Sequence, residues 1–493
     1  MKLKYKWICG LLTAGLLSST MTACSYPWSF LGTEERKGQP GFGTVPSGME
    51  GSEDGSGTDT REPAGETGRQ REPDTERGGG ETETGERDDG EAEDPEASIL
   101  LPERFDYREC GRLPMVGSQG DLGTCWAFAT MLALESSLLP EESWDFSEDH
   151  ISLNNSFGMD QDMGGDYTMA MAYLLAWQGP VREMDDPYGD GVSPDGLSAV
   201  KHVQEIQIPK EKDYDAVKRA VYLHGGVQTS LYMGMEDEES RSEFYREETC
   251  AYYYNGPEVS NHDIVIVGWD DHYPKENFTY SPGRDGAFLC VNSWGAGFGD
   301  KGLFYVSYED VNVGTHNLVY TKVEDPDNYD AVYQSDLCGW LGQLGYGDET
   351  AYFANVFRAE EAETLEAVGF YATDEDTEYE VYVAEETGEG GALTLGPPVC
   401  EGRFSKTGFY TVELPAPAEL RAGERFAVAV FVRTPGSIHP VAIEYQNKEP
   451  EKAMAQVDLN DGEGYISADG RFWTRVETDQ DSNVCLKAYT GRK

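Results

Sequence analysis

The stretch that most constrains this chain is residues 119–134, Gln-Gly-Asp-Leu-Gly-Thr-Cys-Trp-Ala-Phe-Ala-Thr-Met-Leu-Ala-Leu. A Gly-containing turn leads into Cys125, and an apolar run follows: Trp126, Ala127, Phe128, Ala129, Met131, Leu132 and Leu134. Such a run forms helix readily and is too apolar to face water. The spacing predicts a buried helix with a thiol in its first turn. The unpaired N–H groups and positive end of a helix favour an anion there, so the thiol should ionise more easily than a free one. A structural buried cysteine is the alternative for a lone Cys in this setting.

Two later stretches supply what a nucleophilic thiol needs. Asn-His-Asp-Ile-Val-Ile-Val-Gly-Trp-Asp (261–270) puts His262 at the head of a β-branched run that reads as a buried strand. Ala-Phe-Leu-Cys-Val-Asn-Ser-Trp-Gly (287–295) is a second strand, ending in Asn292, Ser293 and Trp294. A base must take the thiol proton and later return it, and a third group must hold the base. Cys125, His262 and Asn292 provide those parts in that order.

With these motifs in view, residues from about 100 to 323 resemble a papain-family cysteine peptidase. QGDLGTCWAF resembles that family's cysteine motif, NHDIVIVGW its histidine motif and NSWGAGFGDKG its asparagine motif. His262 follows Cys125 by 137 residues and Asn292 by 167, near the spacing of roughly 130–150 residues usual in this family. The resemblance implies Gln119 as the oxyanion-hole side chain. It also implies that Gly164-Gly165 pairs its backbone with an extended substrate by β-augmentation, and that Trp294 shields the His262–Asn292 bond. A helical lobe to about residue 205 and a strand-rich lobe over 206–323 follow from it, with the cleft between them. Tyr167–Gln178 has amphipathic helix spacing, and Gly179-Pro180 stops it.

Two departures stand out. Asp263 follows His262 where the family usually carries Ala or Gly, on the floor of the pocket for the second residue before the cleaved bond. Asp263 is expected either to favour a basic side chain there, and to raise the His262 pKa, or to point into solvent. Leu122 and Met163 stand where many family members carry a disulfide, and a buried apolar contact is expected in its place.

Upstream, Met1–Ala23 has a Lys-rich start, an apolar stretch and small residues, the pattern of an export signal. Its Met-Thr-Ala-Cys-Ser ending resembles a bacterial lipoprotein signal. That resemblance implies a lipidated Cys24 and attachment to the outer face of the cytoplasmic membrane; the alternative is secretion. Residues 24–97 read as an acidic tether: between 34 and 97, 20 acidic residues face 7 basic ones, with almost nothing apolar. The whole chain carries a net charge of −53, which argues against nucleic acid as a partner.

The organisation expected is thus a signal over 1–23, a tether over 24–97, a peptidase domain over 98–325 and a second domain over 326–493. In that last part, eight short alternating runs between turns predict an antiparallel sandwich: Ala351–Phe357, Leu365–Ala372, Tyr379–Ala384, Phe409–Leu414, Phe426–Val432, Val441–Tyr445, Phe472–Val476 and Val484–Tyr489. Ser335–Phe357 and Ala367–Val383 resemble the lectin-like domain that follows papain-type domains in surface peptidases of Gram-positive bacteria. The fold class expected is α+β, a papain-like peptidase followed by an all-β sandwich. Protein or peptide substrates are expected, with a cell-wall or glycan ligand for the β domain. Trp340 and Trp473 are the aromatics to weigh there, each either stacked on sugar or buried. Catalysis of this kind requires no cofactor. The acidic loops leave room for a structural calcium, but no EF-hand spacing or close cysteine pair marks a metal site. The competing reading is a surface adhesion protein with an inactive peptidase scaffold.

Overall fold

The computed structural model describes residues 41–43, 95–235, 237, 240–386, 393–446, 457–460 and 464–492. The signal over 1–23, Cys24 and nearly all of the expected tether lie outside the described residues.

The helix Cys125–Leu138 runs through the first half of the chain, with thirteen of its fourteen residues buried. An apolar surface all round makes this a core helix rather than an amphipathic one, and Pro140 ends it two residues on. Two shorter helices pack beside it. Glu148–Leu153 is capped by the Ser147 side chain, which accepts from the His150 N–H. Tyr167–Leu175 is capped by Asp166, which accepts from the Thr168 N–H. The second ends at Leu175, short of Gln178, ahead of Gly179-Pro180.

Against the helix lies a long, mostly antiparallel sheet. Val227–Leu231, His262–Asp270, Ala287–Val291 and Leu303–Ser307 are neighbours in it. Val265 pairs with Val291, and His262 with Leu231. His262 therefore starts one strand, and Asn292 directly follows the next. Both strands are almost wholly buried, as their unbroken apolar runs require. The second half also contains a helix, Tyr214–Leu223, capped by Asp213.

The C-terminal part is a β-sandwich. Six of the eight expected strands are present, five with longer bounds, from Thr350–Arg358 to Arg425–Arg433, and Val441–Tyr445 as expected. Ser482–Val484 and Leu486–Arg492 divide the last run between two sheets. Phe353, Val368, Phe370, Val430, Val432 and Ile466 fill the space between its sheets. One expectation is corrected: within Phe472–Val476 only Thr474–Arg475 is strand, and a short helix, Val476–Gln480, follows it. The Ser467–Trp473 loop explains it, since Asp469 accepts from the N–H groups of Arg471 and Phe472 and closes a turn there.

The two parts share a sheet. Gly408–Leu420 pairs on one side with Glu363–Ala372 and on the other with His202–Gln207, and the latter pairs with Asn317–Glu324. Trp177 stacks on His202 at 3.6 Å between ring centroids, and also contacts Tyr489. Trp340 is buried against Tyr371.

Candidate active site

The segment 119–124 turns through Gly120, whose φ of 57° suits glycine. It delivers Cys125 to the first position of the core helix. The Thr124 side chain makes no cap bond to that helix; its hydroxyl is 2.6 Å from the Tyr188 phenol oxygen. Cys125 is 2 % exposed.

His262 reaches the thiol from the facing strand. Its Nε2 donates to Asn292 Oδ1 at 2.7 Å, which leaves Nδ1 as the nitrogen bonded to Cys125. Burial alone would pull the imidazole pKa down. The charge of Cys125 and hydrogen bonds with Cys125 and Asn292 outweigh it and hold His262 above its ordinary value. Such a pair can trade a proton. Asn292 Oδ1 also accepts from the Ser293 N–H at 2.8 Å, while its buried Nδ2 has no hydrogen-bond partner among the described residues. The Trp294 ring lies 5.2 Å from the imidazole and meets Phe298 edge-on.

Gln119 is buried beside these groups. Its Nε2 donates to the Leu122 carbonyl at 2.7 Å and its Oε1 accepts from the Ser293 hydroxyl at 2.6 Å. Its backbone N–H donates to the Ser293 carbonyl at 2.8 Å. The amide is thus fixed in orientation with one Nε2 hydrogen beyond the Leu122 bond.

Gly164 and Gly165 occupy positions that exclude other residues. Gly164 has φ of 79°. A Cβ on Gly165 would fall 2.5 Å from the Trp126 indole, so the pair lies on the residue next to Cys125. The expected Leu122–Met163 contact is not a buried one, since Met163 is 50 % exposed. Close packing there is backbone on backbone: a Cβ on Gly123 would meet the Gln161 carbonyl oxygen at 2.9 Å and the Gly164 nitrogen at 3.0 Å.

Asp263 does not point into solvent. Its oxygens accept from the Ser230 hydroxyl at 2.6 Å and from Gln228 Nε2 at 2.9 Å. Gln228 Oε1 accepts from Thr130 on the core helix at 3.1 Å, so a polar chain crosses from helix to strand. Burial pushes the Asp263 carboxyl up to about 6, against those two hydrogen bonds. The rise in His262 has its causes in Cys125 and Asn292, not in Asp263.

Of the other histidines, His150 and His202 are buried and bond to Tyr173 and Asn328. Cys290 is a buried core residue. A cavity of about 200 Å³ between the core helix and the His262–Asp270 strand is lined by Phe128, Leu132, Glu135, Glu148, Val265 and Asn292, among others. Burial raises the carboxyls of both glutamates well above their ordinary value. Among the described residues no group of three or more His, Cys, Asp or Glu side chains could hold a metal ion. Ser293 and Tyr188 are contributions that sequence reading missed. Ser293 stands inside the asparagine motif, whereas Tyr188, in Asp-Pro-Tyr-Gly, carries no local signal.

Residues 101–323 match the family model of the papain family cysteine protease, and residues 332–490 that of the lectin like domain. Cysteine proteinase 1 of Entamoeba histolytica is 28% identical over 243 residues, 46% of this chain and 71% of that protein. Cathepsin S of Bos taurus is 29% identical over 227 residues, 44% of this chain and 62% of that protein. A similar solved structure comprises the cysteine protease and lectin-like domains of Cwp84, a surface layer associated protein of Clostridium difficile. It has a TM-score of 0.70 at 26% identity and covers 80% of this chain and 90% of that one.

Proposed function

We propose that this chain, a papain-family cysteine peptidase domain joined to a lectin-like domain, hydrolyses peptide bonds through Cys125, His262, Asn292 and Gln119. The observation that carries the reading is the buried row Cys125–His262–Asn292, with the imidazole held above its ordinary pKa by the thiol and the amide.

In this mechanism the Cys125 thiolate attacks the substrate carbonyl carbon and His262 is the imidazolium. The remaining Gln119 Nε2 hydrogen and the Cys125 backbone N–H stabilise the oxyanion. As the C–N bond breaks, His262 gives its proton to the leaving amine and a thioester remains. Water then attacks the thioester while His262 takes its proton, and the acid leaves with the thiol restored. Gly164-Gly165 holds the substrate backbone, and Asp263 sets a preference for Arg or Lys at the second residue before the cleaved bond.

The test is turnover of a fluorogenic peptide library by the wild type and by Cys125→Ala, with and without an epoxysuccinyl thiol inhibitor. Cleavage abolished by both treatments supports the peptidase. No cleavage and no labelling of Cys125 would favour the adhesion reading.

For the lectin-like part, a glycan ligand is supported by an open cavity of about 440 Å³ on the seven-stranded sheet. Tyr352, Tyr382, Asp469 and Arg471 line it. Rings for stacking beside a carboxylate and a guanidinium suit a sugar. Tyr352→Ala should weaken binding to purified cell wall; equal binding would remove the site. Export and lipid anchoring rest on the signal before Cys24 and on the surface association of Cwp84. Labelled palmitate should enter the wild type and not Cys24→Ser. Among the described residues no helix is long and apolar enough to cross a membrane.

A further inference from the structure

We propose that Tyr188 is a positioning residue for the oxyanion site, an inference that rests on the peptidase reading above. Both oxyanion donors belong to one turn. Gln119 opens it, and the Cys125 N–H closes it directly after Thr124. Their separation depends on the shape of residues 119–124. Hydrogen bonds between Gln119 and Ser293 fix the first end. The Tyr188 phenol is bonded to both: its O–H donates to the Gln119 carbonyl at 2.9 Å, and its oxygen lies 2.6 Å from Thr124 Oγ1. One O–H and one lone pair suffice, with Thr124 as the second donor.

Tyr188 is itself held firmly. Its ring meets Phe128 edge-on at 4.8 Å, and its N–H donates to Glu183 Oε1 at 2.8 Å. Burial raises its ionisation well above the ordinary range, so the phenol keeps its proton at any working pH. Thr124 is an N-cap residue type, yet its hydroxyl bonds Tyr188 and makes no cap bond to the helix that carries Cys125. Both hydrogen bonds of the phenol thus fall on the turn, one at each end of it.

The experiment compares two reactions of Cys125 in the full chain. Hydrolysis of a peptidyl-aminomethylcoumarin builds an oxyanion. Alkylation by iodoacetamide does not: the thiolate sulfur bonds to the CH₂ carbon, the C–I bond breaks and iodide leaves. Tyr188→Phe keeps the ring on Phe128 and removes only the hydroxyl. It should lower kcat/KM for hydrolysis about ten-fold, mainly through kcat, and leave the alkylation rate and its pH profile unchanged. Thr124→Val should give the same split.

Equal losses in both reactions would mean a merely structural role and overturn the proposal, as would unchanged hydrolysis. A wild type that is alkylated yet cleaves nothing overturns the peptidase reading and this inference with it. A wild type that cleaves no faster than Tyr188→Phe overturns this inference alone.

Discussion

His262 Nε2 and Asn292 Oδ1 stand 2.7 Å apart, with both side chains buried. Asn292 offers an acceptor only to the N–H of that nitrogen, so it fixes the ring with Nδ1 turned to Cys125 and favours the imidazolium.

From this follows a pH dependence. The group needed in protonated form has its pKa raised above 6.5, and the first two causes opposing burial involve Cys125. Protonated His262 is present below its folded pKa and is lost as pH rises through it. The basic limb of kcat/KM should lie above pH 6.5. Asn292→Ala, which removes one of the supporting hydrogen bonds, should move that limb to lower pH. A limb that stays in place would refute the role given to Asn292.

Gln119→Ala should lower kcat on the order of a hundred-fold with a small change in alkylation by iodoacetamide. A loss confined to KM would instead make Gln119 a substrate-binding side chain.

The two donors that Asp263 accepts and its pKa of about 6 make its charge pH-dependent in a usable range. A preference for Arg or Lys at its subsite should strengthen as pH rises from 5 to 7, because the carboxyl ionises through that window. Asp263→Asn should show the same library profile at both pH values. A wild-type profile that does not change with pH would end the assignment.

Gly165→Ala would place a methyl group against the Trp126 indole. Overpacking of this kind costs about 1–3 kcal/mol. Thermal unfolding should show that loss, and KM should rise with it under the proposal that this backbone holds the substrate. An unchanged melting temperature with unchanged KM would show that the loop yields at no cost.

Lys487 Nζ donates to Asp336 Oδ1 at 3.0 Å and to Gln334 Oε1 at 2.7 Å, with both members of the ion pair fully enclosed. Lys487→Met strands the Asp336 charge, a change that costs about 3–5 kcal/mol. Denaturant unfolding measures it; a loss below 1 kcal/mol would mean that Asp336 takes up a proton instead.

The parts of this fold that were legible in the sequence are those written locally. The apolar run after Cys125 could only be a core helix, and the β-branched run after His262 a buried strand. Gly164 and Gly165 could be singled out as a pair, although only the structure shows that one is required by its φ and the other by an indole. What escaped is carried by contacts between distant residues. The Ser293 hydroxyl reaches Gln119 across 174 residues and the Tyr188 phenol reaches it across 69. Nothing local announces either. Phe472 and Trp473 suggested a strand by their β propensity, but Asp469 gathers the neighbouring N–H groups into a turn first. Leu122 and Met163 suggested apolar packing by their type alone, whereas two glycine backbones already fill that place.

The pairing of Gly408–Leu420 with His202–Gln207 has a consequence of a mechanical kind. A shared sheet is not a flexible joint. Force applied to the C-terminal part reaches the cleft strands through rows of interstrand hydrogen bonds rather than through a slack linker. A body gripped by that part would meet the thiol at one distance and one angle. Selection among peptide bonds then becomes a matter of reach, with the sandwich acting as a fixed ruler.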